Sequence, residues 1–204
     1  MTDSLPDELF ERIDPADDSA FYDVPRLVTH VDDATIDALT GYLGEQLNAG
    51  DAVADLMSSW ISHLPAVELE SVACLGMNAE ELSSNPRATE WCVHDLNTDP
   101  RLPYSDGRFD WVLISFSIQY LVRPLDVFRD ISRILKPGGH VLVAMSHRCF
   151  PTKAIRAFHV LPPVERIKLV AHYLALTDCY EAAAFIDRSP EEADPLWLVQ
   201  GRRR

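Results

Sequence analysis

Lysine is scarce, with three against fifteen arginines, and eight glycines are spread over 204 residues. The first apolar segment is followed by no glycine-rich turn, neither GxxxxGK nor GxGxxG. A triphosphate or dinucleotide ligand is therefore poorly supported. The four cysteines, Cys74, Cys92, Cys149 and Cys179, form no CxxC pair and stand by no histidine pattern. Such spacing argues against a zinc site, so no metal is expected, and it reads as reduced thiols. No run approaches the ~20 apolar residues of a membrane helix. The first residues are acidic and lack the apolar core of a secretion signal. A cytoplasmic protein with no membrane partner is expected.

The charge is −14, from 18 basic and 32 acidic residues. An acidic surface repels nucleic acid and anionic membranes, which disfavours both as partners. Twenty aspartates with few lysines suit a host with a salty cytoplasm and equally an ordinary acidic protein. Apolar residues make up 47% of the chain, enough for a packed domain without staples.

The periodicity predicts one α/β domain over 1–204. Residues 1–32 form an arm that is acidic, Pro-punctuated and loose over 1–18. Asp33 reads as the N-cap of a helix carrying Ile36, Leu39, Leu43 and Leu47 and ending near Gly50. Short apolar strands follow at 52–56, 71–76, 91–94 and 109–115, with a short helix after Asn78. Pro124 opens a helix whose apolar face holds Leu125, Phe128, Ile131, Ile134 and Leu135. Lys136-Pro137-Gly138-Gly139 stops it before a strand at 140–145, so 51–145 forms a core. A helix over 163–177 and strands at 180–186 and 196–200 complete 146–204. Apolar strands alternating with helices indicate a parallel sheet covered on both faces.

Ligands of such sheets lie past the carboxyl ends of the strands, where the strand order switches. Four loops matter there: Asp55 to Trp60, Gly76 to Asn78, His94 to Asn97, and Ser115 to Tyr120. They offer acids and neutral polar groups among apolar side chains, without a cationic cluster. That suits a nucleoside, whose base needs flat apolar contacts and an acceptor for its amino group.

Leu102-Pro103-Tyr104-Ser105-Asp106-Gly107-Arg108-Phe109-Asp110-Trp111-Val112-Leu113, followed by Arg133-Ile134-Leu135-Lys136-Pro137-Gly138-Gly139, resembles a known pair of motifs. They are the "LPF-x-D-x-x-FD-x-V" and "R-x-LKPGG" runs of class I S-adenosylmethionine-dependent methyltransferases of the small type 11 kind. The resemblance implies a Rossmann-like three-layer sandwich around a seven-stranded, mostly parallel sheet with an antiparallel last strand. It implies S-adenosylmethionine as cofactor, held by Asp55, Met57, Ser58 and Ser59, by Gly76, Met77 and Asn78, by Asp95 and Leu96, and by Ser115 and Ser117. Asp95 would accept from the adenine amino group, with Leu96 beside the base.

This chain departs from the family in two places. Met57, Ser59 and Ile61 stand where a GxGxG loop is usual. Gly76 stands where an acid normally holds the ribose, and Asn78 is its nearest substitute or else a helix cap. Tyr22, Arg26 and His30 precede the first helix at the family's lid position. Gln119, Tyr120, Arg148 and Lys153 are candidates for the substrate side, the two cations for an acidic substrate or as a surface pair. No catalytic base can be named. The expected function is methyl transfer to a small molecule by a monomer or homodimer. An inactive methyltransferase-like binding or regulatory protein is the alternative.

Overall fold

A computed structural model describes residues 5–204; the first four residues of the expected arm lie outside it. Its sheet has seven strands in the order β3-β2-β1-β4-β5-β7-β6. β1 (Ala52–Leu56), β2 (Ser71–Gly76), β3 (Glu90–Val93), β4 (Phe109–Ser115) and β5 (Leu135–Met145) pair in parallel. β7 (Trp197–Arg202) runs antiparallel to both β5 and β6 (Ala184–Asp187). The chain leaves β1 towards one edge and returns at β4 towards the other, so the switch in strand order lies between them.

The inner strands β1, β2 and β4 are largely apolar because both of their faces are covered, whereas the edge strands β3 and β6 are mostly exposed. Ala52, Ala54, Leu56, Val112, Ile114, Val141 and Val143 face one core. α4 (Pro124–Ile134) and α6 (Pro163–Thr177) close it with Val127, Phe128, Ile131, Val170 and Leu174. The alternate residues Val53, Val72, Cys74, Trp111, Leu113 and Leu142 face the other core, under Leu39, Tyr42 and Leu43 of α2 (Asp33–Gln46) and Leu82 of α3 (Ala79–Ser83). No helix among the described residues is long and apolar enough to cross a membrane.

Four local expectations change. Asp32, not Asp33, caps α2: its Oδ1 accepts from Thr35 N at 2.9 Å and its Oδ2 from Asp194 N at 2.7 Å. Lys136 to Gly139 begin β5 instead of preceding it, through an irregularity in pairing opposite Phe109 and Trp111. Glycine is needed there because Gly138 has φ +77° and a Cβ on Gly139 would lie 2.9 Å from Asp110 O. The expected strand at 180–186 is split: β6 begins at Ala184, while Tyr180 makes an isolated antiparallel bridge with Arg203 and buries its side chain, its hydroxyl donating to Phe128 O at 2.6 Å.

The arm is not loose. It carries a short 3-10 turn at Asp7–Phe10 and α1 (Asp18–Tyr22), and it is bound to the stretch after β5. Arg12 bridges Ile155, Asp14 N donates to Thr152 O at 2.9 Å, and Arg156 N donates to Glu11 O at 2.7 Å. Behind these contacts Asp18, buried, accepts from Arg12 at 2.8 Å and pairs with Lys153 at 3.1 Å.

Candidate functional site

The carboxyl ends of β1 to β4 open into a pocket lined by the loops that follow them and by the arm. Each loop enters it in a way its residues require. Met57 takes φ +56°, the left-handed turn for which glycine is the ordinary choice. The turn carries Ser58 across the end of β2, where Ser58 N donates to Leu75 O at 2.8 Å. A Cβ on Gly76 would then stand 2.3 Å from Ser58 O. The two departures from the family pattern are thus one feature: the rerouted first loop fills the space that an acid at position 76 would need.

Asp55 is fully buried at the foot of this loop and accepts from Ser58 Oγ at 2.6 Å. Burial pushes its carboxyl up to about 6, against the opposing pull of the Ser58 hydroxyl. Ser59 Oγ donates to Glu81 at 2.6 Å. Asn78 caps α3, accepting from Glu80 N at 3.0 Å and Glu81 N at 3.1 Å. Its amide donates to Tyr22 O at 2.9 Å and Asp23 O at 3.1 Å, so Asn78 joins the cap to the arm.

On the β3 side Asp95 organises its own loop, accepting from Asn97 N at 2.8 Å and Thr98 Oγ1 at 2.7 Å. Asn97 then donates to Asp18 at 2.9 Å, tying this loop to the arm. Leu96 is buried against the pocket wall. After β4, Phe116 takes φ +55°. The Ser117 hydroxyl is buried on the pocket wall with no hydrogen-bond partner among the described residues. Tyr120 OH accepts from Phe150 N at 2.8 Å, and burial pushes its phenol up to about 12.

The arm crosses the mouth. Arg26 N donates to Glu81 at 2.6 Å, and the Arg26 guanidinium lies 4.1 Å from the Phe21 ring centroid while bonding the Phe21 carbonyl. His30 meets Phe150 edge to face, and Trp60 Nε1 donates to Val28 O at 3.1 Å.

Asp55, Met57, Ser58, Ser59, Gly76, Met77, Asn78, Asp95, Leu96, Ser115 and Ser117 all line this pocket, with Tyr22, Arg26, His30 and Tyr120. Three candidates lie elsewhere. Gln119 is buried and donates to Phe116 O at 2.7 Å. Lys153 is 1% exposed, donating to Ala16 O at 2.8 Å and paired with Asp14 at 3.0 Å. Arg148 pairs with the buried Asp194 at 2.8 Å. The two cations are thus taken up by aspartates that hold the arm and the start of α2. Asn97 and Phe116, within two of the expected loops, also line the wall, while sequence reasoning missed Asp18, His63, Glu81 and Phe150. For Glu81 a signal exists, since it follows Asn78 by one helical turn. Asp18, His63 and Phe150 come together with the loops only through tertiary contacts.

Comparison with known proteins agrees with this architecture. Residues 50–143 match the model of the family described as "Methyltransferase domain". The chain is 25% identical over 148 residues to the ubiquinone/menaquinone biosynthesis C-methyltransferase UbiE of Dinoroseobacter shibae, covering 66% of this chain and 58% of that protein. It spans about half the length of the curated relatives it matches. A complex of the Haloferax volcanii Trm112 methyltransferase activator with a methyltransferase contains a similar chain, at TM-score 0.62 and 15% identity over 83% of this chain and 90% of that one. Haemonchus contortus phosphoethanolamine N-methyltransferase 2, in complex with S-adenosyl-L-methionine, aligns at TM-score 0.58 and 13% identity over 83% of this chain and 52% of that one. The family match is confined to residues 50–143, and over these the chain is similar to methyltransferases in sequence and in fold.

Proposed function

We propose that the protein is an S-adenosylmethionine-dependent methyltransferase acting on a small molecule within the pocket under the arm. The observation that carries this reading is the Ser117 hydroxyl, buried and unpartnered on a wall shared with Asp55, Asp95 and Leu96 at the switch in strand order. A buried hydroxyl without a partner is suited to a polar ligand that completes it. When bound, S-adenosylmethionine supplies a methyl group on a positively charged sulfur.

Leu96 offers the apolar contact for the base and Asp95 the acceptor beside it. Glu81 supplies the ribose side with the carboxylate that β2 cannot carry. Ser58, Ser59 and Ser117 serve the amino-acid portion. The residues around the pocket act by holding the two reactants in line and by excluding water, both of which lower the barrier to a bimolecular transfer. The arm contributes the second of these, because Asn78 and Glu81 bind its backbone across the mouth. A small acceptor also agrees with the net charge of −14, which opposes nucleic acid. The quinone-biosynthesis relative, by its name, agrees in kind.

Calorimetry and thermal unfolding with S-adenosylhomocysteine test the reading. A ligand at a hundred times its dissociation constant stabilises by about 2.7 kcal/mol, a shift of several degrees. Asp95→Ala is expected to weaken binding by ~1–3 kcal/mol. If neither S-adenosylmethionine nor S-adenosylhomocysteine raises the melting temperature, the reading fails, and a methyltransferase-like binding module takes its place.

A further inference from the structure

We propose that His63 is the proton acceptor of the transfer, and that the acceptor molecule is an uncharged hydroxyl compound of the phenol or enol type. The proposal rests on the methyltransferase reading and adds a base and a substrate class to it.

His63 belongs to the rerouted loop after β1, which brings it into the pocket wall. It is 9% exposed, packs edge to face on Phe116 at 5.3 Å between ring centroids, and has no hydrogen-bond partner among the described residues. The imidazole carries a donor and an acceptor nitrogen, and neither is bonded to another described residue. Phe116 continues directly from the end of β4 beside Ser115 and Ser117. His63 therefore joins the first loop to the β4 loop, the two segments that border the reacting centre in this reading. His30 faces the same cavity from the arm.

The charges on the wall define what can enter. Asp55, Glu81 and Asp95 line the cavity, beside an Asp18 already paired with Arg12 and Lys153, and Arg26 is the one lysine or arginine among its lining residues. The Arg26 guanidinium is already engaged by the Phe21 and Val24 carbonyls and by the Phe21 ring. Lys153 and Arg148 lie outside. A carboxylate or phosphate on the acceptor would meet carboxylates and find no free cation, so an uncharged acceptor is favoured.

An uncharged hydroxyl must lose its proton as it is methylated, and this is what an open imidazole provides. The acceptor oxygen bonds the methyl carbon while the methyl–sulfur bond breaks, its electron pair going to sulfur. The hydroxyl proton passes to a ring nitrogen of His63. Sulfur becomes neutral as the imidazole becomes cationic, so the pocket holds one positive charge before and after, facing the same carboxylates. Burial, with His30 adding to it, lowers His63 to about 4, which keeps it uncharged beside a sulfonium near neutral pH.

The test uses the full chain. Calorimetry with the protein saturated in S-adenosylhomocysteine compares simple phenols with benzoates and phenyl phosphates. S-adenosylhomocysteine formed from S-adenosylmethionine with each ring measures turnover. Phenols are expected to bind and react, and the anionic rings to do neither. His63→Gln is expected to bind S-adenosylhomocysteine within twofold of the native protein, which controls for folding, while turnover falls about 100-fold, within the usual range for a general base. His63→Ala is expected to regain turnover with added imidazole. The proposal is overturned by native turnover in His63→Gln, by loss in His63→Ala without imidazole rescue, by preference for the anionic rings, or by no ring binding to a protein that does bind S-adenosylhomocysteine. Failure to bind S-adenosylhomocysteine at all would remove the methyltransferase reading first.

Discussion

The amino and carboxyl ends of the strands are held by different chemistry. At the amino end, Asp110 accepts from Ala52 N at 2.8 Å and from Lys136 Nζ at 2.7 Å, joining β4 to β1 and to the start of β5. Arg133 donates to Leu102 O at 2.9 Å and Tyr104 O at 2.8 Å, and pairs with Asp106 and Asp130. At the carboxyl end, Asp55 has a hydroxyl for company and no cation, and Glu81 holds a hydroxyl and a backbone N–H. The motif residues by which the family is recognised, from Leu102 to Asp110 and from Arg133 to Gly139, belong to the first end. They act as a scaffold: an acid meets a cation, and a loop is pinned by a guanidinium. The end that would do chemistry carries two acids, Asp55 and Glu81, with no cationic side chain bonded to them, an arrangement that suits a site receiving its positive charge with its ligand.

The largest way to break this contrast is Gly76→Asp, which restores the acid the family pattern expects. With Ser58 O 2.3 Å from the new Cβ, the first loop must leave its place. Overpacking of this kind costs about 3 kcal/mol, and S-adenosylhomocysteine binding is expected to vanish with it. Urea unfolding and calorimetry measure both. A variant of native stability with tighter binding would mean that the rerouted loop is incidental.

Asp55 offers the next test, through pH. Its folded carboxyl stands raised to about 6 from the ordinary aspartate value of 3.8, so the folded chain keeps a proton that the unfolded chain has already lost. The sign follows: this group favours the fold most below pH 4, and its contribution declines as pH rises to about 6. A shift of this size corresponds to about 3 kcal/mol. Asp55→Asn should flatten the stability profile between pH 4 and 6 and narrow its gap to the native protein towards pH 4. Parallel profiles would mean that Asp55 titrates normally.

The scaffold end was legible in the sequence and the mouth only in part. Asp110, Arg133 and the two glycines sit in contiguous strings whose spacing reflects strand, turn and helix lengths, and such local constraints survive in a linear pattern. The loops after β1 to β4 were legible for a similar reason, since apolar strands announce their own ends. What could not be read was which side chains cross between segments distant in sequence. Lys153 and Arg148 looked like free cations because Asp14, Asp18 and Asp194 reach them from far along the chain. His63 was invisible as a site residue because nothing near it in sequence announces that its loop crosses β2.

Arg133→Ala probes the scaffold end alone. The guanidinium, 22% exposed, holds two carbonyls and two carboxylates, and its removal leaves Leu102 O and Tyr104 O to water. Hydrogen bonds involving a charge are each worth about 1.5–3 kcal/mol when partly sheltered. Exposure of Asp106 lowers that partner's share, so a net loss of about 2 kcal/mol in urea unfolding is expected. The affinity for S-adenosylhomocysteine should stay within twofold, since the pocket lies at the opposite end of the strands. A large loss of affinity at small cost in stability would show the two ends coupled.

The smallest effect is expected from Arg148→Ala, and it sharpens the boundary of the carboxyl end. By sequence Arg148 was a candidate to meet an acidic substrate. In the fold it is half exposed and pairs with Asp194, which also accepts from Asp32 N at 2.9 Å and lies near His147 at 3.3 Å. Exposed ion pairs contribute about 0–1 kcal/mol. The remaining partners keep Asp194 satisfied, so stability should fall by no more than about 1 kcal/mol and molar salt should reduce the difference. Binding of S-adenosylhomocysteine and selection among uncharged acceptors should not change. A selective loss of acceptor turnover in this variant would extend the site past β5 and return an anionic substrate to consideration, against the charge of the pocket wall.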